Sequence, residues 1–327
     1  LIFSGLYNST SGVNNLNQFL IAERITKEVN PLYGSIQKLH ARDSDMIVAC
    51  EDKILQILAN KDALYNADGS SNVALSTSVL GSIRPFAGEF GISKDPASFA
   101  SYGFRSYFTD KRRGVVLRLS RDGITPIVVG YESELELQFK SADAIVGSYD
   151  DELGYYNVTM NGGTLQYSEK SKGWISRWGI NPENGITINN TYYTTKGGRL
   201  WKHSDLLNRN SWYGGAAQVS SIQFVYNNSP STIKKFKTLS YEGDTGWVAS
   251  EIKTDQEAGT VTTWVTREGK HYNYIKGVAT AWGNQSQSGN LDTKEFAVQG
   301  IGNLVTITGD LTVSEFTINV FDDPSDH

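Results

Sequence analysis

Apolar and polar residues alternate along much of the chain, which is the pattern of half-buried β-strands. The alternation is clear in Gly34–His40 and Lys53–Leu58, and the largely apolar segment Asp45–Cys50 lies between them. These three segments are predicted to form consecutive strands of one sheet. Ala97–Ile127 is predicted to form a second unit of four strands. Helical spacing is weak, with Asn17–Glu28 as the best helix candidate, so the chain is predicted to be all-β.

One hairpin pattern recurs: an aromatic strand, a short polar turn containing glycine, and a second aromatic or β-branched strand. The copies turn at Gly114, Gly154, Gly197–Gly198 and Gly269. The first three follow one another at intervals of about 40–45 residues, the length of one four-stranded propeller blade. The repeat therefore predicts β-propeller-like antiparallel blades. The alternative is an ordinary all-β protein in which similar hairpin spacings arise by chance.

Composition changes along the chain predict three regions. Residues 1–212 are predicted to form the propeller-like domain, 213–290 further blades or a connecting β region, and 291–327 a set of C-terminal strands with an acidic tail. Within the first region, Asn60–Ser82 is rich in small polar residues and is predicted to be an excursion or long loop. The chain begins at Leu1 rather than Met, which indicates a segment of a longer protein or a processed product.

Charge and cysteine content narrow the class of protein. A net charge of −5 argues against a basic face that wraps nucleic acid. It is compatible with a channel through which DNA slides, because like-charged walls repel phosphates. No apolar run approaches the roughly 20 residues of a membrane helix. Cys50 is the single cysteine and is predicted to be a small buried apolar residue.

No residue cluster in the sequence indicates catalysis, a metal or a cofactor. His40, His203, His271 and His327 share no spacing typical of metal ligands. The carboxylates of Asp150–Glu152 are adjacent in a predicted turn, where solvated acids are expected rather than the facing pair of a glycosidase. The chain is therefore predicted not to be an enzyme, and to hold no metal and no cofactor.

Two charged groups are candidates for a subunit interface. Lys111, Arg112 and Arg113 lie at a predicted hairpin tip, and Glu132, Glu134 and Glu136 lie on one face of a predicted strand. Opposite charges at such positions can fix the register between protomers. The alternatives are a charged turn and an exposed sheet edge.

Three aromatic residues are compatible with an alternative function, carbohydrate binding. Tyr192, Tyr193 and Trp201 are predicted to be exposed, and their rings could stack on sugars in a carbohydrate-binding module. In a propeller, such rings more often pack between blades.

Short phrases along most of the chain resemble large structural proteins of tailed bacteriophages, the marine and crAss-like groups among them. They include Ser4–Asn15, His40–Asp43, Glu89–Lys94, Tyr107–Lys111 and Arg118–Gly123. None of these segments contains a catalytic motif. They therefore indicate a family rather than a reaction.

The resemblance implies a component of the virion, located in the tail and similar to nozzle or muzzle proteins, which carry β-propellers and assemble in rings. Its implied partners are further copies of itself, in a ring or other homo-oligomer, and other virion proteins. Such an assembly would surround or lie near the DNA exit channel, with non-specific passage of DNA during ejection. The alternative under the same resemblance is a receptor- or carbohydrate-binding module of a tail fibre.

Overall fold

The computed structural model describes residues 1–5, 7, 10–19, 25–42, 45–65, 71–127, 132–204, 210–225, 236–253, 258–277, 304–309 and 316–322. The chain divides into two compact units, Leu1–Asp205 and Leu206–His327. Strands and turns dominate both units, which confirms the all-β prediction. The short 3₁₀ helices Pro31–Tyr33 and Pro96–Ser98 belong to the first unit.

The first unit begins with an antiparallel sheet whose four strands are neighbours in chain order. Sheet one comprises β1 (Ile36–Ala41), β2 (Asp45–Cys50), β3 (Ile54–Tyr65) and β4 (Ser71–Pro85). The three strands predicted here are confirmed. The long loop predicted for Asn60–Ser82 is wrong, because β3 and β4 extend into it; residues 66–70 lie outside the described part. Asn, Asp, Gly and Ser around residue 70 hid the alternation that continues from Val73.

The same meander repeats in the rest of the unit. Sheet two comprises β5 (Ala100–Tyr102), β6 (Arg105–Asp110), β7 (Val115–Ser120) and β8 (Gly123–Pro126), as predicted. Sheet three comprises β9 (Val146–Asp150), β10 (Tyr155–Met160), β11 (Gly163–Ser168) and β12 (Gly173–Trp178). Sheet four has three strands, β13 (Asn184–Ile188), β14 (Thr191–Lys196) and β15 (Arg199–Lys202). Successive four-stranded antiparallel meanders are the organisation of propeller blades.

Helix α1 (Glu132–Ser141) replaces the strand predicted for Glu132, Glu134 and Glu136. Glu, Leu, Gln and Lys favour helices, and the segment contains no β-branched residue. Leu135 and Phe139, four residues apart, are both buried, as expected for one helix face. The helix predicted for Asn17–Glu28 does not appear at its described ends, and residues 20–24 lie outside the described part.

Apolar side chains join neighbouring sheets of the first unit in chain order. Ile47 and Ile54 of sheet one pack with Phe108 of sheet two. Tyr107 points to the opposite face of sheet two and packs with Tyr156 of sheet three. Adjacent residues of one strand thus enter two different cores, because successive side chains of a strand point to opposite faces.

The second unit contains two sheets with non-sequential strand order. Their strands are β16 (Ser220–Val225), β17 (Phe236–Gly243), β18 (Val248–Lys253), β19 (Ala258–Val261), β20 (Val265–Arg267), β21 (Lys270–Tyr274), β22 (Lys276–Gly277), β23 (Leu304–Gly309) and β24 (Phe316–Asp322). One sheet has the order β16-β23-β18-β19-β22 and the other β20-β21-β17-β24. Strands from the predicted 291–327 region therefore pair with strands of the predicted 213–290 region. The three predicted domain bounds stay a prediction.

Candidate functional site

The predicted basic cluster lies at the β6–β7 turn and forms ion pairs within the chain. Arg112 Nη1 lies 2.5 Å from Asp52 Oδ1, which belongs to the β2–β3 turn of sheet one. Arg113 Nη1 lies 3.5 Å from the same oxygen and 2.7 Å from Asp110 Oδ2. The Arg112 side chain is nevertheless 62% exposed. Two arginines proposed for a subunit interface thus connect the hairpin tips of two adjacent sheets, and Arg112 stays accessible from outside.

Asp110 organises this turn from a fully buried position. Its Oδ1 accepts hydrogen bonds from Ser93 Oγ at 2.8 Å and from the Arg113 backbone N–H at 3.2 Å. Its Oδ2 accepts from the Gly91 backbone N–H at 3.1 Å, in addition to the Arg113 side chain. A buried carboxylate is tolerated when both of its oxygens receive donors. Asp110 therefore fixes the hairpin tip to the loop that carries Gly91 and Ser93.

Asp150 ends β9, the first strand of sheet three, and precedes its turn glycine by four residues, as Asp110 does at the end of β6. Its Oδ1 accepts from the backbone N–H groups of Glu152 at 3.0 Å and Leu153 at 3.2 Å. The prediction that these turn acids are solvated is wrong for Asp150, which is 2% exposed because it caps its own turn. Burial raises the pKa of the Asp150 carboxyl, and the neighbouring carboxylates of Glu152 and Asp151 raise it further.

Of the predicted acidic group Glu132, Glu134 and Glu136, the structure brings Glu136 close to the β6–β7 hairpin. Glu136 pairs with Lys140 on α1. A Cβ added to Gly114 would lie 2.6 Å from Glu136 Cγ and 2.8 Å from the Glu136 carbonyl oxygen. The turn glycine therefore allows the helix to approach the β6–β7 tip. Glu132 and Glu134 are placed on the same helix by their backbone.

The aromatic group predicted to be exposed includes a core residue. Tyr192 is 1% exposed, and its hydroxyl lies 2.6 Å from Ser148 Oγ of sheet three. Tyr193 and Trp201 are half-buried. Tyr192 is therefore corrected to a residue that packs sheet four on sheet three, because alternate residues of β14 face that sheet. It is not available to stack on a sugar.

His203 packs on the Tyr192 ring, with centroids 5.1 Å apart. Its Nε2 lies 2.6 Å from Thr194 Oγ1. Burial lowers the pKa of His203 to about 4, so the ring is neutral at pH 7. It therefore serves packing at the end of sheet four.

A polar cavity of about 390 Å³ was not predicted from the sequence. The first strand of every sheet in the unit contributes to its wall: Lys38 from β1, Ser101 from β5, Ser148 from β9 and Asn184 from β13. First strands that meet around a common space are expected of blades arranged around an axis. No local signal in the sequence could have located it, because its wall is formed by residues of four sheets that are distant in the chain.

Few other reactive groups lie in the part of the chain that the structure describes. Cys50 is buried as predicted, and burial raises the pKa of its thiol to about 11. Within the described ranges, no group of three or more His, Cys, Asp or Glu side chains could hold a metal ion. No helix in the same ranges has the length and apolar character needed to cross a membrane.

Comparison with known proteins gives one decisive match, in the second unit. Residues 207–277 match the family model of the Crassvirus muzzle protein C-terminal domain. This segment is similar to a crassvirus muzzle domain. This confirms the resemblance to muzzle-type phage proteins and indicates a protein of the virion. The muzzle match includes β16 to β22, whereas the basic hairpin and the polar cavity belong to the other unit.

Two further comparisons add little to the muzzle match. A search of curated proteins finds no match to this chain. A solved structure described as "Streptogramin B lyase structure" is 11% identical, with 72% of this chain and 78% of that chain covered and a TM-score of 0.26. At this TM-score the likeness supports no conclusion about fold or activity.

Proposed function

We propose that this chain is a non-enzymatic structural protein of the phage tail, of the muzzle or nozzle type, that acts by assembly around or near the DNA exit channel. The observation that carries the proposal is the muzzle-domain match at residues 207–277. The net charge of −5 supports it, since an acidic wall lets DNA pass without sticking.

The tail position is tested by immunogold electron microscopy of intact virions with antibodies against this chain. Gold at the tail end, away from the capsid, is the expected result. Gold spread over the capsid, or on extended fibres, would contradict the proposed position. Antibodies preadsorbed with the purified chain provide the labelling control.

Self-assembly of the chain is the second part of the proposal. Arg112 is exposed at the β6–β7 tip despite its pair with Asp52, so an acidic surface of a second copy can reach it. The neighbouring Lys111 is half-buried, and Arg113 is directed towards Asp110. Arg112 is therefore the member of the basic cluster best placed to contact another subunit.

Assembly is tested by mass photometry of the purified chain at low and high salt. Arg112→Ser is expected to shift the population towards smaller species, most strongly at low salt, because surface ion pairs are screened by salt. Lys170→Ser is the matched control, since Lys170 is an exposed base in the turn after β11. Equal oligomer populations for wild type and Arg112→Ser would remove Arg112 from the interface.

A further inference from the structure

The polar cavity of the first unit is open to solvent and has a rigid wall. Ser101 and Asn184 line it and are exposed, whereas Tyr149 at its edge is 7% exposed. The Thr187 hydroxyl donates to the Tyr149 carbonyl oxygen at 2.9 Å and accepts from the Asp151 backbone N–H at 3.2 Å. These bonds tie β13 to the end of β9. The space of about 390 Å³ falls within the range of small-molecule sites.

Several polar groups of the wall have donor or acceptor capacity left for a ligand. The Asp151 carboxylate forms no hydrogen bond with the described part of the chain. Asn184 uses Oδ1 to accept from the Gly185 backbone at 2.8 Å, which leaves its amide N–H groups. Glu183 accepts from the Gly197 backbone through one oxygen only. The Lys38 ammonium lies 5.8 Å from the centre of the Phe99 ring and completes the set.

The carboxylates, amide and ammonium of this wall together favour a neutral ligand over a charged one. An anion would meet the carboxylates of Asp151 and Glu183, and a cation would meet the Lys38 ammonium, so each would face a like charge. A neutral polyhydroxylated molecule both donates and accepts, which satisfies carboxylates, an amide and an ammonium together. Phe99 and Ile186 supply apolar wall for its C–H groups.

From this juxtaposition we propose that the cavity between the first strands of sheets one to four binds a neutral saccharide of one or two pyranose units. Asp151 accepts hydrogen bonds from its hydroxyl groups, and Asn184 donates to them. Tyr192, Tyr193 and Trp201 do not line this cavity, although the Tyr192 hydroxyl contacts Ser148 of its wall. It does not depend on the tail position, because binding is a property of the purified chain.

Saturation-transfer NMR with the full 327-residue chain tests this inference. D-Glucose, D-galactose, N-acetylglucosamine, maltose and lactose are the probes, each titrated separately. At least one is expected to bind, with signal changes at the Gly185 backbone amide in the isotope-labelled chain. Asp151→Asn and Asn184→Ala are each expected to lower the affinity about ten- to hundredfold.

Asp122→Asn is the matched control, because Asp122 is exposed in the β7–β8 turn and does not line the cavity. Near-ultraviolet circular dichroism verifies that each variant is folded. The proposal is overturned if no probe binds, or if Asp151→Asn and Asn184→Ala bind as well as the control. Binding of spermidine in place of every sugar would also overturn it, since the cavity would then select cations.

Discussion

The two turn aspartates Asp110 and Asp150 allow a sharp test, because the same substitution, four residues before a turn glycine in each case, has opposite expected effects. Asp110 uses both carboxylate oxygens, each with two donors. Asp150 receives its two backbone donors on a single oxygen. Asparagine replaces one oxygen by an NH₂ group, which is itself a donor. In Asp110→Asn the new NH₂ group therefore faces hydrogen-bond donors that had a carboxylate oxygen as acceptor. In Asp150→Asn the remaining oxygen can keep both backbone hydrogen bonds.

The expected magnitude at Asp110 comes from the donors that lose their acceptor. If Asn keeps the oxygen that faces Ser93, the buried Gly91 N–H is left unpaired at a cost of about 1–3 kcal/mol. Loss of the Arg113 side-chain contact adds about 0–1 kcal/mol, because that side chain is 32% exposed and partly screened by solvent. The sum, about 1–4 kcal/mol, corresponds to a fall in Tm of about 2–16 °C for a unit of this size.

At Asp150 the substitution removes a charge that burial disfavours. Its folded-state pKa is raised, so the native state binds a proton more tightly than the unfolded state does. Wild-type stability contributed by this group therefore decreases as pH rises above the ordinary carboxyl pKa. Asp150→Asn is expected to have an equal or higher Tm at pH 7, and the difference from wild type should close on acidification.

Thermal melts from pH 3.5 to 7.5 measure both variants, and hydrogen exchange followed by mass spectrometry reports on the Gly91 amide. Asp110→Asn should speed exchange in the peptide that contains Gly91, and Asp150→Asn should leave it unchanged. Equal Tm changes for the two variants, or unchanged exchange at Gly91 in Asp110→Asn, would refute this reasoning.

Three further predictions concern sheet packing. Gly147→Ala should destabilise the unit by about 3 kcal/mol or more, because a Cβ there would lie 1.9 Å from the Ser98 carbonyl oxygen. Gly163→Ala is the control and should cost less than about 1 kcal/mol, since its Cβ would meet nothing closer than 3.4 Å. Equal Tm values for the two variants would contradict this prediction. Tyr156→Phe removes the buried 2.7 Å hydrogen bond to the Ser98 carbonyl oxygen and should lower the free energy of unfolding in urea by about 1–2 kcal/mol. An unchanged free energy of unfolding would show that this bond is not formed. His203, with a pKa of about 4, should show no ring titration by NMR between pH 8 and 5. The stability that its neutral ring contributes should be lost as the pH falls from 6.5 towards 4. A ring-titration midpoint near pH 6.5 would show that the ring is not buried.

Local signals in the sequence were sufficient for much of the first unit. Hydrophobic patterning located β1 to β3 of sheet one, but not β4, and the strands of sheet two, and glycines located the hairpin turns. Gly114, Gly154 and Gly269 have φ values of 69°, 72° and 77°, which favour glycine over other residues. These features depend on neighbours in the chain, so they can be inferred without knowing how the sheets pack.

The errors arose where the outcome depends on distant residues or on two competing periods. Glu132–Ser141 alternates polar and apolar residues, but Leu135 and Phe139 also fit one helix face, and packing on sheet three residues such as Tyr156 selects the helix. Tyr192 looks exposed in a polar stretch, yet Ser148, far away in sequence, covers its hydroxyl. The cavity was missed for the same reason, since its wall comes from four sheets.

The central claim, that this chain is a tail protein that assembles around the DNA path, is tested most directly by cryo-electron microscopy of the virion. The expected result is density for both β units in several symmetry-related copies around the tail channel. A chain located in the capsid shell, or a single copy remote from the channel, would contradict the claim.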